Sequence, residues 1–435
     1  MTGPYYFPPT ETGDNIIAVD SASVKFGPGA LREIGFDAKG MGMTRVGLFT
    51  DKNVARLQAL ETTVESLRLQ GIDVVVYDEV RCEPTDGSLR AAQDFAREGA
   101  FDGYISLGGG SVIDTCKFAS LSNTYPDSFD AYVAAPQGQG KPVPGPLAPH
   151  IACSTTSGTG SETTGVIIFD WVERQLKCGM ASRFIRPKLA IVDPTVTYSM
   201  PAGVLAATGF DVLTHAVESY TARPFSSRKP PENPALRPIH QGANPYSDMG
   251  SLQAIRIAGK YLERAVADAD DHEARNQVMF AATLAGIAFG NSGVHIPHAM
   301  SYSVAGLNHT YVASGYESND PMVPHGIAVV VNAPATFRFT ADMSPERHLE
   351  AAEALGAEVR NASARDGGEI LAVKFVEMMK ATGIPNGTGE IGYTEADIEE
   401  MAKGTIGQKR VLATSPADLT MDDLRGLFRA ALKYW

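Results

Sequence analysis

Cysteine is scarce and unpatterned: Cys82, Cys116, Cys153 and Cys178 stand far apart and form no CxxC. That excludes a disulfide-stapled scaffold and a thiolate metal site, and it fits a reducing compartment. Runs of lysine or arginine are missing as well. With 37 basic against 50 acidic residues the formal charge is −13, which repels nucleic acid and anionic membranes. No apolar run approaches the length of a membrane helix. The amino-terminal stretch MTGPYYFPPTETGDN shows neither the pattern of an export signal nor an Arg-rich amphipathic one, so a cytoplasmic setting is expected. Internal repeats and coiled-coil heptads are absent too.

What is present is ample apolar material, 44% of 435 residues, enough for two or three domains. RVGLFT at 45–50, DVVVYDEV at 73–80 and YISL at 104–107 are short β-branched runs separated by helix-like stretches. This β-α-β rhythm predicts a parallel sheet with helices on its faces, which IACSTT at 151–156, VIIF at 166–169 and LAIVD at 189–193 are expected to extend. After Met200-Pro201 the apolar period changes to three and four. The expectation is an α/β nucleotide-binding domain over 1–200 followed by an all-α domain over 201–435. One segment, 221–248, is too rich in proline and polar residues for a regular element, and connections of that length are functional or disordered.

Within FDVLTHAVESY, Asp211 and His215 sit four residues apart in an otherwise apolar helical pattern. Positions i and i+4 share a helix face about 6 Å apart, so the two can address one object. A hydrogen-bonded structural pair is the alternative reading. GVHIPHAMSY adds His295 and His298, and VPHGIAV adds His325 at the start of another apolar element. Imidazoles and one carboxylate make an N/O donor set suited to Fe²⁺ or Zn²⁺. Upstream, LGGGSVIDTCK at 107–117 reads as strand, glycine turn and helix, whose N–H groups can cradle a pyrophosphate although GxGxxG is not matched. STTSGTGSETT at 154–164 forms a second loop rich in glycine and hydroxyls, and Asp51 follows a strand where it can take ribose hydroxyls and favour NAD over NADP. A polar surface loop and a helix-capping aspartate are the plainer readings of these two features.

In this order GGGSVIDTCK, TTSGTGSE, FDVLTHAVESY, HAMSY and PHG resemble motifs of the iron-containing (group III) alcohol dehydrogenases, which share the dehydroquinate-synthase-like fold, and the likeness runs over nearly the whole chain. The resemblance implies that Asp211, His215, His298 and His325 hold a divalent metal, Fe²⁺ first and Zn²⁺ second. It places Gly109, Gly110, Ser111 and Asp114 at the phosphates and nicotinamide side of NAD(H), with Thr155, Thr156, Thr159 and Ser161 lining the same cofactor and Lys177 near its ribose. Many members carry HGMAH, whose second histidine lies near the nicotinamide; here HAMSY puts Tyr302 at that position. Tyr302 is expected to relay a proton instead, against a reference pKa of about 10. His295 is the other candidate for that role, or a support for the metal ligands.

Longer stretches, among them GFDVLTHAVESYTARPF and FGNSGVHIPHAMSYSVAGL, resemble the branch that passes a hydride from a hydroxy acid to an oxo acid. That branch implies 4-hydroxybutyrate oxidised to succinate semialdehyde and 2-oxoglutarate reduced to 2-hydroxyglutarate, by a homodimer or larger homo-oligomer with no nucleic-acid or membrane partner. Carboxylate substrates need cations, and Arg183, Arg186, Arg223, Lys229 and Arg237 are the candidates, with solvated surface charge as the alternative. An NAD-dependent alcohol dehydrogenase with exchangeable cofactor and a metal-dependent lyase of the same fold remain open. His150, His240, His272, His309 and His348 carry no assignment.

Overall fold

The computed structural model describes residue 6 and residues 10–174, 176–307, 310–316 and 321–435. Two compact units result: Asp20–Ser199, and Met200–Trp435 together with the segment before Asp20.

The first unit is an α/β layer structure. Its strands are β1 Ser23–Phe26, β2 Arg45–Phe49, β3 Asp73–Tyr77, β4 Gly103–Gly108, β5 His150–Ser154, β6 Val166–Trp171, β7 Leu176–Ala181 and β8 Leu189–Val192. Six of them form one sheet in the order β1-β8-β5-β4-β2-β3, every pair parallel. Helices α1 Ile34–Gly40, α2 Gln58–Leu69, α3 Asp86–Gly99 and α4 Gly110–Thr124 supply crossovers. The central strands β4 and β5 are buried at every residue, which is why they read as unbroken apolar runs, whereas the edge strands β1 and β3 keep exposed positions. VIIF does not join this sheet. Its strand β6 pairs antiparallel with β7 in a separate hairpin, a partner that apolar composition alone does not specify.

Strand order reverses beside β4: the chain leaves β2 toward β3 on one side and leaves β4 toward β5 on the other. Such a switch point opens a crevice at the carboxyl ends of the strands. Asp51 follows β2, Gly109 follows β4 and Thr155 follows β5, so all three loops emerge at that edge.

The second unit is helical: α5 Ala202–Thr221, α6 Pro245–Ala267, α7 His272–Ser292, α8 Ile296–Gly306, α9 His325–Val330, α10 Ala333–Thr340, α11 Pro345–Ala354, α12 Gly367–Thr382, α13 Gly387–Glu390, α14 Ile398–Ile406, α15 Lys409–Leu412 and α16 Met421–Ala431. α5 is buried from Leu205 to Thr221 on all but one residue, the mark of a helix surrounded by others. Gly326 lets α9 lie directly on it: a Cβ there would fall 1.9 Å from the Ala207 carbonyl oxygen. α7 and α8 meet at a 103° bend, which turns the HIPH segment back toward α5.

The proline-rich connection from Ala222 to Asn244 is ordered, with two short 3₁₀ turns at Phe225–Ser227 and Pro234–Leu236. Asp14 clamps it by accepting from Arg228 at 2.6 Å and Arg237 at 3.0 Å, while Gln241 exchanges two hydrogen bonds with the backbone of Ala18. Burial alone would raise the Asp14 pKa, but the arginine hydrogen bonds outweigh it and hold the carboxyl below its ordinary value. A depressed carboxyl stabilises the fold above its unfolded pKa and loses that contribution as pH falls through the folded value. Asp14→Asn leaves two half-sheltered guanidiniums without their anion. It is expected to cost about 3 kcal/mol and to make the 222–244 segment an early site of limited proteolysis at neutral pH; an unchanged cleavage pattern would count against the clamp.

Candidate active site

Along α5, residues 211, 215 and 218 recur at i, i+4 and i+7 and so share one face. Asp211 and His215 meet His298 from α8 and His325 at the first position of α9. One ligand atom from each of the four lies within 4.8 Å of all the others. Asp211 Oδ1 stands 3.7 Å from His215 Nδ1, 3.5 Å from His298 Nε2 and 3.8 Å from His325 Nε2. Ligand bonds of about 2.1 Å at tetrahedral angles put ligand atoms about 3.4 Å apart, so the cage matches a first-row divalent ion. Three of these atoms, Asp211 Oδ1, His215 Nδ1 and His298 Nε2, are buried without a hydrogen-bond partner among the described residues. Orphaned polar atoms that converge on one point are costly unless a cation completes them.

Glu218 organises this centre and was not singled out from sequence. It is fully buried, its Oε2 accepts from His298 Nδ1, and its Oε1 accepts the backbone N–H of His295 at 2.9 Å and of His298 at 3.3 Å. Fixing the proton on Nδ1 turns Nε2 toward Asp211, the arrangement by which carboxylates orient metal-ligating histidines. The signal was available in the i+7 spacing from Asp211. Burial pushes His215 down to about 3, so its imidazole is neutral and ready to ligate, and its ring is stacked 3.9 Å from Phe289. At His298 burial acts in the same direction, but Glu218 and Asp211 outweigh it and raise the pKa to about 9. A proton and a cation therefore compete for Nε2. His295 does not join the cage; its Nε2 lies 3.2 Å from Thr221 Oγ1, and burial lowers it to about 4.

In the α/β unit the glycine turn and the threonine loop press together. Cβ atoms built on Gly109 and Gly110 would fall 3.1 Å from Thr156 and 2.7 Å from Thr159, so glycine leaves the N–H groups at the start of the 15-residue α4 uncovered. Ser111 Oγ accepts the Glu83 N–H, and Thr155 N–H is bonded to the Gly108 carbonyl. Asp114 and Ser161 face inward. Asp114 accepts from Ser161 Oγ, from Lys117 Nζ at 3.1 Å and from the Ile168 N–H at 2.9 Å, so both carboxylate oxygens are used in shaping the loop. Lys117, absent from the sequence-derived set, also donates to Ser161 Oγ and the Val166 carbonyl, and an i+3 spacing from Asp114 was its only sequence trace. Lys177 is held by Glu83 at 2.7 Å and Asp170 at 3.0 Å, while Asp51 Oδ1 accepts from the Asn53 and Val54 N–H groups.

Comparison with known proteins decides the family. Residues 21–194 match the family model described as iron-containing alcohol dehydrogenase, and residues 238–432 match its C-terminal counterpart. The chain belongs to the iron-containing alcohol dehydrogenase family. A relative from Bos taurus named "Hydroxyacid-oxoacid transhydrogenase, mitochondrial" is 48% identical over 98% of this chain and 92% of its own length. Among solved structures, a 1,3-propanediol oxidoreductase superposes with a TM-score of 0.84 at 28% identity, covering 96% of this chain and 100% of the other. The sulfoacetaldehyde reductase of Bifidobacterium kashiwanohense, solved in complex with NAD⁺, gives 0.78 at 25% identity over 96% and 99%.

As a member of this family the chain is an oxidoreductase with the expected α/β and helical architecture. The expected cytoplasmic setting is corrected by the mitochondrial designation of its relatives. Unpaired cysteines report redox conditions, which compartments share, and so do not carry an address. Of the arginines expected at the substrate, Arg223 pairs with Asp418 at 2.5 Å and donates to the Ser415 carbonyl, Arg237 pairs with Asp14, and Arg183 lies 3.6 Å from Asp20. Sequence proximity to the insert shows the cations but not these acidic partners, which only the fold brings alongside. Tyr302 follows His298 by one turn of α8 and is buried; His309 lies outside the described residues.

Glu218→Gln keeps the volume but weakens the hold on His298. It is expected to lower Fe²⁺ or Zn²⁺ affinity about 10–100-fold, read by competition with a chromogenic chelator. Glu162 in the threonine loop is buried with Oε2 unbonded among the described residues, and burial pushes its pKa up to about 7. A carboxyl raised on folding binds its proton more tightly in the folded state, so this group makes stability fall as pH rises from about 4.3 to 7. Glu162→Gln should therefore stabilise the protein at pH 8 more than at pH 5, and equal shifts in Tm at both would contradict the assignment.

Proposed function

We propose that this iron-containing alcohol dehydrogenase is a hydroxyacid-oxoacid transhydrogenase, moving a hydride from 4-hydroxybutyrate to 2-oxoglutarate with NAD(H) as a retained carrier and Fe²⁺ as the resident ion. The observation that carries the reading is full-length likeness, 48% identity across 98% of the chain, to a relative of that name. The donor set supports it, since Asp211, His215, His298 and His325 present three nitrogens and one oxygen to one point. Bound there, the ion would act as a Lewis acid on a hydroxyl or carbonyl oxygen, and the dinucleotide would supply the hydride-carrying ring.

The chain's own residues do the rest. Asp211, His215 and His298 are at most 3% exposed, which keeps water from the protein side of the centre, while His325, 24% exposed at its side chain, marks the open side. Glu218 holds the proton of His298 on Nδ1 so that Nε2 stays a donor of electrons. Tyr302, one turn beyond His298, is the group we assign to move the substrate hydroxyl proton, with His295 as buried support for the Glu218 carboxylate. Gly109, Gly110, Ser111, Thr155, Thr156 and Thr159 would receive the dinucleotide, with Asp51 at its ribose. Asp114, Ser161 and Lys177 would act on it through the loops they brace. A homodimer or larger homo-oligomer belongs to the same reading.

The test uses purified protein with Fe²⁺, 4-hydroxybutyrate and 2-oxoglutarate and no added NAD. Succinate semialdehyde and 2-hydroxyglutarate are expected in equal amounts over many turnovers. If neither forms until NAD is supplied, and NADH then accumulates without an oxo acid, the enzyme is an alcohol dehydrogenase with exchangeable cofactor.

A further inference from the structure

Folding leaves one arginine near the metal cage without an acidic partner. Arg264, Arg338, Arg347, Arg425 and Arg429 of the helical unit each pair with a carboxylate, as do Arg223, Arg228 and Arg237. Arg410, on α15, does not. Its NH2 donates to the Tyr302 hydroxyl at 3.2 Å, and among the described residues no carboxylate forms an ion pair with it. Partial burial of a guanidinium against a phenol is a poor exchange for water, because a neutral oxygen satisfies one of five N–H donors and none of the charge.

Its position is fixed by packing that has nothing to do with charge. α14 lies on α8 so closely that a Cβ on Gly404 would stand 2.5 Å from Ser303 Oγ, and Ser303 Oγ is itself 3.1 Å from Thr405 Oγ1. α15 follows immediately, which sets Arg410 beside Tyr302. Tyr302 is four residues after the ligand His298 on the same helix face, about 6 Å along. Arg410 is thereby joined, through the Tyr302 hydroxyl, to the helix turn that follows the ligand His298.

We infer that Arg410 is the specificity residue that binds the distal carboxylate of the substrates, with Tyr302 holding its guanidinium in place. The inference rests on the transhydrogenase reading for its substrates. In 4-hydroxybutyrate and in 2-oxoglutarate the distal carboxylate carbon lies three carbon–carbon bonds from the carbon that loses or gains the hydride. One cation at one distance can then serve both half-reactions, and the donor fork of arginine matches a carboxylate bidentately. A neutral diol has nothing to offer it.

The test compares the wild-type holoenzyme with Arg410→Met and Arg410→Lys on 4-hydroxybutyrate and on 1,4-butanediol, and measures 2-oxoglutarate binding by calorimetry. Arg410→Met is expected to lower kcat/KM for the acid about 30–100-fold, chiefly through KM, while the diol changes little. Affinity for 2-oxoglutarate should fall by a similar factor, with Arg410→Lys intermediate. Equal losses for acid and diol at an unchanged Tm would make Arg410 a support for Tyr302 and overturn the inference, as would unchanged 2-oxoglutarate binding. Should Arg410→Met fail to fold, Arg410→Gln keeps a donor for Tyr302, removes the charge, and is read in the same way. If the wild type releases its cofactor each turnover yet Arg410→Met still loses the acid selectively, the transhydrogenase reading falls and the role of Arg410 stands.

Discussion

Glu218 carries a carboxylate into a place with no water, and His298 together with two backbone N–H groups takes the place of its hydration. Burial disfavours the charge, yet the neighbouring histidines and N–H groups outweigh it and hold the carboxyl below its ordinary value. An ionised Glu218 needs the α7–α8 bend, because only there do the amides of His295 and His298 both point inward. It also needs α5 buried on every side, which the Gly326 contact with Ala207 permits. Remove the charge and the bend loses its anchor, His298 loses its orientation, and the cage loses one corner. Metal affinity, local fold and the tautomer of one imidazole thus depend on the same buried charge.

The α/β unit solves a related problem by different means. A pyrophosphate needs bare N–H groups, and bare N–H groups are vulnerable to being covered by neighbouring side chains. Two glycines keep them open, while the buried Lys117 links Asp114, Ser161 and the Val166 carbonyl so that the threonine loop stays beside the turn. Lys117 is itself shifted downward by burial, with Asp114 opposing the shift. The residues that line the crevice are small and neutral, and the charges that shape it lie beneath.

Much of this was legible in the residues. Strand runs such as YISL and IACS stand out because central parallel strands are buried on both faces, and the DxxxH pair stands out because an apolar helix rarely carries two polar groups without use. The five ordered motifs add His298 and His325 to that pair, and the fold brings all four to one point. Three kinds of feature were not readable. β1, with three of the four residues of its SVKF exposed, lacks the apolar contrast of a strand. β6 shows the contrast but not the partner. Arginine roles depend on acids hundreds of residues away: Arg237 is claimed by Asp14 and Arg223 by Asp418, while Arg410, unremarkable in GQKRVLA, acquires its place only when α15 packs under α8.

The Asp14 clamp joins parts of the chain that are far apart in time as well as in sequence. Ala18 and its partner Gln241 are separated by 223 positions, and the α/β unit is synthesised between them. At roughly 5–20 residues per second the opening segment waits about 10–45 s before its docking surface exists. Through that interval the parallel sheet can fold as a unit, whereas the helical unit, being discontinuous, cannot close until the arginines of the connection have been made. The segment before Asp20 is among the last parts of its unit to find its place.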